Sequence, residues 1–231
     1  MDKAAIEIAV RRLQKKIWEE RAKFCPVELH KNPVYLLEPE YAASVLGVKF
    51  TRHEELVTDP LTSRGSKIEI AGLIDRQRKE IAISRKFPAR TIRFTSAHEI
   101  GHWVLHREQV MFRDMPIQGL QRESGTRDHQ EAEADYFAAC FLMPRKLVIE
   151  RFEANFLTEV PLVIDDTTAF YLCPSDPDSI LRAESASLTC ALAAASCESY
   201  GGQRIPSMAK QFRVSVTSMA IRIKELGLIQ E

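Results

Sequence analysis

No excess of either charge marks this 231-residue sequence: Lys plus Arg and Asp plus Glu are equal at 32 each. That balance excludes a chain-wide basic coat for nucleic acid and a polybasic membrane anchor, so any contact of that kind has to be local. Cysteines are few and odd in number, Cys25, Cys140, Cys173, Cys190 and Cys197, and no two stand as C-x-x-C. Neither a disulfide framework nor a thiolate zinc knuckle is suggested, and a reducing, cytoplasmic compartment is expected. Long apolar runs are missing too. The longest weakly polar stretch, 188–197, is about half the ~20 residues that a membrane-spanning helix needs. The N-terminus, MDKAAIEIAVRRLQKKIWEE, carries charge throughout, unlike a signal peptide, and is expected to stay in the mature protein. No membrane partner is expected. What is present, 45% hydrophobic residues, suffices for one good core and a small second unit.

Ile6, Val10, Leu13 and Ile17 recur at helical spacing, with Arg11, Arg12, Lys15, Lys16 and Glu19 on the other face, which predicts an amphipathic helix. Pro26, Pro33 and Pro39 then divide the chain into short pieces, with a brief helix over 41–46 ended by Gly47. In KIEIAGLIDRQRKEIAIS two β-branched runs flank a charged tetrapeptide, 76–79, and read as a hairpin in a small antiparallel sheet. After Pro88, RTIRFTSAHEIGHWVLHRE has helical spacing through Phe94, Ile100, Trp103 and Leu105. A loop-like stretch, 112–127, separates it from a second helical run, QEAEADYFAACFLM, which stops at Pro144. Beyond, VPLVIDDTTAFYL supplies candidate strands, and an Ala/Ser/Cys-rich helix is expected to end near Gly201 and Gly202. Two helical segments over 208–228, broken at 213–215 with Ser215 placed as an N-cap, read as helix-turn-helix.

The chemistry concentrates at 98–135. His98 and His102 are four apart, so on a helix both rings project from one face and can share a cation, with Glu99 beside that face. Catalytic zinc takes three protein ligands plus a water, and Glu99 is placed to take that water's proton. A third histidine six residues after the second is not available, since Glu108 stands there and Trp103, Val104 and Leu105 offer no glycine turn. His106 lies ~6 Å further along the helix than His102 and is expected to support the site rather than to ligate. The downstream helix offers Glu131 and Glu133, which ~200° of helical rotation keeps from sharing one metal. Periodicity favours Glu131, because Asp135 shares its face and is placed to accept from a ligand histidine, whereas Glu133 shares a face with Phe137 and Cys140. Two histidines and a carboxylate suit Zn2+ best and also accept Mn2+ or Fe2+. For the oxyanion, Arg127, His129 and Tyr171 stand open as candidates. A substrate strand adding to the edge of the 68–83 hairpin would be held extended across the metal.

With RFTSAHEIGHWVLH, EAEADYFAACFLMP and MAKQFRVSVTSMAIRIKELGL, the sequence resembles the ImmA/IrrE family of metallopeptidases over about 67–228. The resemblance implies a gluzincin-like domain with His98, His102 and Glu131 on zinc and Glu99 as general base. Family members often have asparagine where Asp135 stands, and the region 176–201 matches no specific family pattern. Known members cleave helix-turn-helix transcriptional repressors and so release mobile-element or stress-response genes, which implies a regulatory endopeptidase and a repressor as protein substrate. The expected fold class is α+β: a zincin-like domain over 1–155, with its small antiparallel sheet and active-site helix pair, then a mainly helical region over 156–231 with the helix-turn-helix-like segment at 205–228. The competing reading is a DNA- or repressor-binding module with a structural or degenerate metal site. Lys210, Arg213, Arg222 and Lys224 are its candidate phosphate contacts, and the apolar Met219, Ile221 and Ile223 among them argue for packing or docking instead.

Overall fold

The structure is a computed structural model that describes residues 1–56, 70–106 and 129–230, together with the backbone of 113–114. It is a mixed α/β fold, mostly helical, and divides into two compact units, Met1–Leu142 and Met143–Glu231. Helix 145–156 belongs to the second unit, where Arg151 donates to Gln211 Oε1 and Asn155 to the Pro206 carbonyl oxygen. Among the described residues, no helix is long and apolar enough to cross a membrane.

In the first unit, helix α1 (Lys3–Glu19) starts where Asp2 accepts from the Ala5 N–H at 3.1 Å and buries Ile6, Val10, Leu13 and Ile17. Short 3-10 turns follow through the proline-broken stretch, and α2 (Pro39–Leu46) opens on a proline and closes on Gly47 at φ 68°, a left-handed backbone that suits glycine. Strand β1 (Lys49–His53) then pairs parallel with β3 (Glu80–Ser84), and β3 pairs antiparallel with β2 (Gly72–Asp75) across the charged turn. Helix α3 (Ala89–Leu105) carries the two motif histidines, β4 (Arg113–Asp114) adds to the outer edge of β2, and α4 (His129–Leu142) lies along α3. The sheet order is β1-β3-β2-β4.

This sheet corrects the antiparallel expectation. The hairpin is present in its described part, while residues 67–69 and most of the 112–127 loop lie outside the described residues. The parallel partner β1 is a half-exposed KFTRH segment with no apolar alternation, so no strand pattern announces it. The two hairpin strands also have their outer edges taken by β1 and β4, so a substrate strand cannot add to the hairpin directly where those pairings hold. One glycine explains how α3 and α4 come close: a Cβ at Gly101 would stand 3.1 Å from the Ala134 carbonyl oxygen and 3.2 Å from Phe137 Cβ.

The second unit begins with α5 (Arg145–Phe156) directly after Pro144. Phe152 and Phe156 lie with ring centroids 4.6 Å apart, and Phe156 meets Tyr200 edge-on at 5.0 Å. Strand β5 (Leu162–Val163) pairs parallel with the last strand of the chain. The apolar run around it was read as strand, but Asp165 accepts from the Thr168 N–H at 2.7 Å and starts helix α6 (Asp166–Leu172). Helices α7 (Pro177–Leu181) and α8 (Thr189–Ser196) follow. Helix α8 ends at Ser196 rather than near Gly201, because 199–204 form a two-stranded hairpin of β6 (Ser199–Tyr200) and β7 (Gln203–Arg204). Gly201 and Gly202 make its turn at φ 56° and 78°. Helix α9 (Met208–Phe212), a turn with Arg213 at φ 57°, and α10 (Val216–Glu225), capped by Ser215 on the Ser218 N–H at 3.0 Å, lead to β8 (Ile229–Gln230).

Candidate metal centre

On α3 the four-residue spacing sets the His98 and His102 rings side by side, with their Nε2 atoms 2.9 Å apart. From α4, Glu131 reaches both: Oε2 is 3.3 Å from His98 Nε2, and Oε1 is 3.3 Å from His102 Nε2. One donor atom from each of the three residues lies within 4.8 Å of the others, and the two histidines are buried. A tetrahedral cation with bonds of ~2.0–2.1 Å sets its donors about 3.3 Å apart, which matches the distance from each Glu131 oxygen to its histidine, while the two Nε2 atoms at 2.9 Å stand somewhat closer.

The outer ring nitrogens decide where the inner lone pairs point. Asp135 Oδ1 lies 2.7 Å from His98 Nδ1, and a carboxylate only accepts, so the His98 Nδ1 carries the proton and its Nε2 presents a lone pair. Behind His102 the chain is longer. Its Nδ1 is 2.9 Å from Nδ1 of His106, whose Nε2 is 3.1 Å from Glu133 Oε2. Glu133 accepts from His106 Nε2–H, so the neutral His106 ring accepts at Nδ1, and His102 Nδ1–H is the donor. Two imidazole lone pairs and the Glu131 carboxylate therefore converge on one point, an arrangement that repels itself unless a cation or a shared proton sits among them. Where a proton serves, hydrogen bonding by His102 and then His98 holds the Glu131 carboxyl well below the usual carboxylate range. Burial pushes the His102 imidazole pKa down, which disfavours the extra proton. The donor set fits a divalent metal ion better than it fits a proton.

Glu99 is fully buried on α3 and lies against β2. A Cβ at Gly72 would stand 2.4 Å from Glu99 Oε1, so only a glycine leaves room for this carboxylate on the strand. Sequence reasoning missed Gly72. Its signal was an isolated glycine in an apolar strand, which marks a close approach without naming the visitor.

Two further residues were missed or placed differently. Arg76, read only as part of a charged turn, sends Nη2 to three carbonyl oxygens at the end of α3: His102 at 2.8 Å, Trp103 at 3.2 Å and His106 at 2.6 Å. Its guanidinium also stacks over the Trp103 ring, 4.7 Å from the centroid. Glu133, expected on the face of Phe137 and Cys140, faces His106 and also lies 3.3 Å from His129 Nδ1. Glu131 and Glu133 thus meet different rungs of α3 rather than competing for one. Of the oxyanion candidates, His129 is engaged with Glu133, Tyr171 packs near Tyr200 at 5.3 Å within the second unit, and Arg127 lies outside the described residues.

Residues 61–164 match the family model Peptidase_M78, the IrrE N-terminal-like domain. The matched span contains β2, β3, α3 and α4, and with them every residue of the cluster. No curated protein matches the chain.

Proposed function

The chain carries a domain of the IrrE N-terminal-like peptidase family, and from that premise we propose a zinc-dependent, site-specific endopeptidase that cleaves a helix-turn-helix transcriptional repressor. The observation that carries the reading is the convergence of His98, His102 and Glu131 beside the buried Glu99. A divalent cation held there supplies Lewis-acid polarisation of the scissile carbonyl and lowers the pKa of water to ~7. Zinc suits two imidazoles and one carboxylate best, and manganese or iron are the alternatives. Glu99 accepts the proton of the attacking water and passes it to the leaving amine. Asp135 holds the His98 ring in one tautomer and one orientation through its 2.7 Å contact.

The repressor as substrate rests on the family resemblance, and so does the outcome, release of stress-response or mobile-element genes in the cytoplasm. The α9–α10 pair resembles a helix-turn-helix, and its basic side chains favour packing or repressor docking over DNA phosphates. Lys210 pairs with Glu198; Arg222 is buried, bonded to the Met143 carbonyl and to Glu225. Lys224 Nζ donates to the carbonyls of Ser185, Ala186 and Ser187. Three of the four cations weighed for phosphate contact are spent inside the unit.

The test is cleavage of a purified helix-turn-helix repressor, taken from the gene neighbouring this one, by the zinc-loaded chain. Fragments of defined mass are expected, abolished by a chelator and reduced about 10²–10⁴-fold in Glu99→Gln with its zinc retained. A repressor bound but left whole by wild type, with zinc in place, would contradict the peptidase reading and favour the binding module.

A further inference from the structure

The described structure holds a second line of polar side chains behind the metal cluster that the proposed chemistry does not use. It runs from His102 Nδ1 to His106 Nδ1 at 2.9 Å, from His106 Nε2 to Glu133 Oε2 at 3.1 Å, and from Glu133 Oε1 to His129 Nδ1 at 3.3 Å. His102 is fully buried, His106 nearly so, and Glu133 is mostly covered, so the contacts from His102 to Glu133 meet little competition from water, while His129 at the far end is exposed. Arg76 fixes the backbone under the same pair, since one Nη2 donates to both the His102 and the His106 carbonyl oxygens. That clamp holds the backbone of the two residues, and the Nδ1–Nδ1 contact sets the rings against each other.

We infer that His106 is a positioning residue for the metal site: as the acceptor of the His102 Nδ1 proton, and itself oriented by Glu133, it keeps the His102 Nε2 lone pair aimed at the cation. The inference rests on the metallopeptidase reading and adds to it a partner for His102, beside the one that Asp135 gives His98. His98 leans on a carboxylate, while His102 leans on an imidazole that leans on a carboxylate in turn. An imidazole acceptor is neutral, so His102 receives orientation from its neighbour without a full negative charge behind it. A carboxylate in direct contact would make the ring a stronger donor to the metal. The cluster is thereby asymmetric, with His98 the more strongly polarised ligand. Glu133 has this role only because α4 presents it one rung along from Glu131, where His106, four residues past His102, comes into reach.

The experiment measures the zinc affinity of wild type, His106→Leu, His106→Gln and Glu133→Ala by competition with a chromogenic chelator, beside NMR of the ¹⁵N-labelled, zinc-loaded wild type. In wild type a scalar coupling is expected between the two Nδ1 nuclei, transmitted through the His102 N–H···N bond. His106→Leu leaves the His102 Nδ1–H buried without its acceptor and should bind zinc about 10–100-fold more weakly. His106→Gln restores an acceptor oxygen and an N–H toward Glu133, and should return affinity to within about threefold of wild type. Glu133→Ala should lie between the two. A histidine not bonded to His102 would show no such coupling, and a merely structural one would show no loss of zinc affinity in His106→Leu for glutamine to rescue. Absence of the coupling in wild type overturns the inference, whether or not the variants fold. So does a folded His106→Leu that binds zinc as wild type does, and this result leaves the metallopeptidase reading intact. Wild type that binds no zinc takes down both.

Discussion

Gly72 and Glu99 are separated by a hairpin and most of a helix in sequence, yet the Glu99 carboxylate occupies the space against β2 that a side chain at 72 would fill. Gly72→Ala is therefore expected to displace Glu99 while leaving His98, His102 and Glu131 in place. Peptide cleavage should fall on the order of 10²-fold, the usual cost of moving a reacting group by about an ångström, with zinc content unchanged. Unaltered turnover in that variant would show that Glu99 does not need this position. Some residues of the centre were legible in the sequence because they sit on one helix at a fixed spacing. His98, Glu99 and His102 follow from the motif, and periodicity picks out Glu131 and Asp135 together, as the structure brings them together. Gly72, Arg76 and the pairing of His106 with Glu133 were not legible, since each depends on which rung of one element faces which rung of another.

The pair α3 and α4 was visible as two helical runs, but their close approach depends on Gly101. A glycine inside a helix costs roughly 1 kcal/mol relative to alanine, so its presence there points to a packing demand. Gly101→Val would drive two methyl groups into the Ala134 backbone and Phe137. Urea unfolding should show a loss of about 1–3 kcal/mol, the usual cost of overpacking, together with weaker zinc binding as Glu131 moves away from the histidines. A variant as stable as wild type would contradict the packing account. The sheet was harder to read. Strand β1 has no alternation, and its parallel pairing with β3 skips over β2, so neither existence nor partner is signalled locally. In the second unit the segment read as strands does supply β5, but beyond it Thr167, Thr168, Phe170 and Tyr171, residues that favour strands, follow the Asp165 cap and form a helix.

At the scale of the whole chain, the candidate metal centre couples folding to pH. Burial depresses the His102 pKa below its unfolded value of ~6.5, so in the metal-free protein the unfolded state binds more protons between the two values. The stability from keeping His102 neutral is present above ~6.5 and is lost as pH falls toward the folded pKa. Glu131, depressed through His102 and His98, adds a contribution present above ~4.3 that is lost at still lower pH. The melting temperature of the metal-free chain should drop between pH 7.5 and 5.5, and that drop should be smaller in His102→Gln; equal slopes would contradict the assignment. The central claim is that His98, His102 and Glu131 hold a metal ion, and plasma mass spectrometry of metal content tests it most directly. Wild type should carry about one zinc per chain, His98→Ala and Glu131→Gln almost none, and Glu150→Gln, on the exposed side of α5, as much as wild type. Folded wild type that stays free of metal after zinc is supplied, or a Glu131→Gln variant that keeps its zinc, would contradict the account.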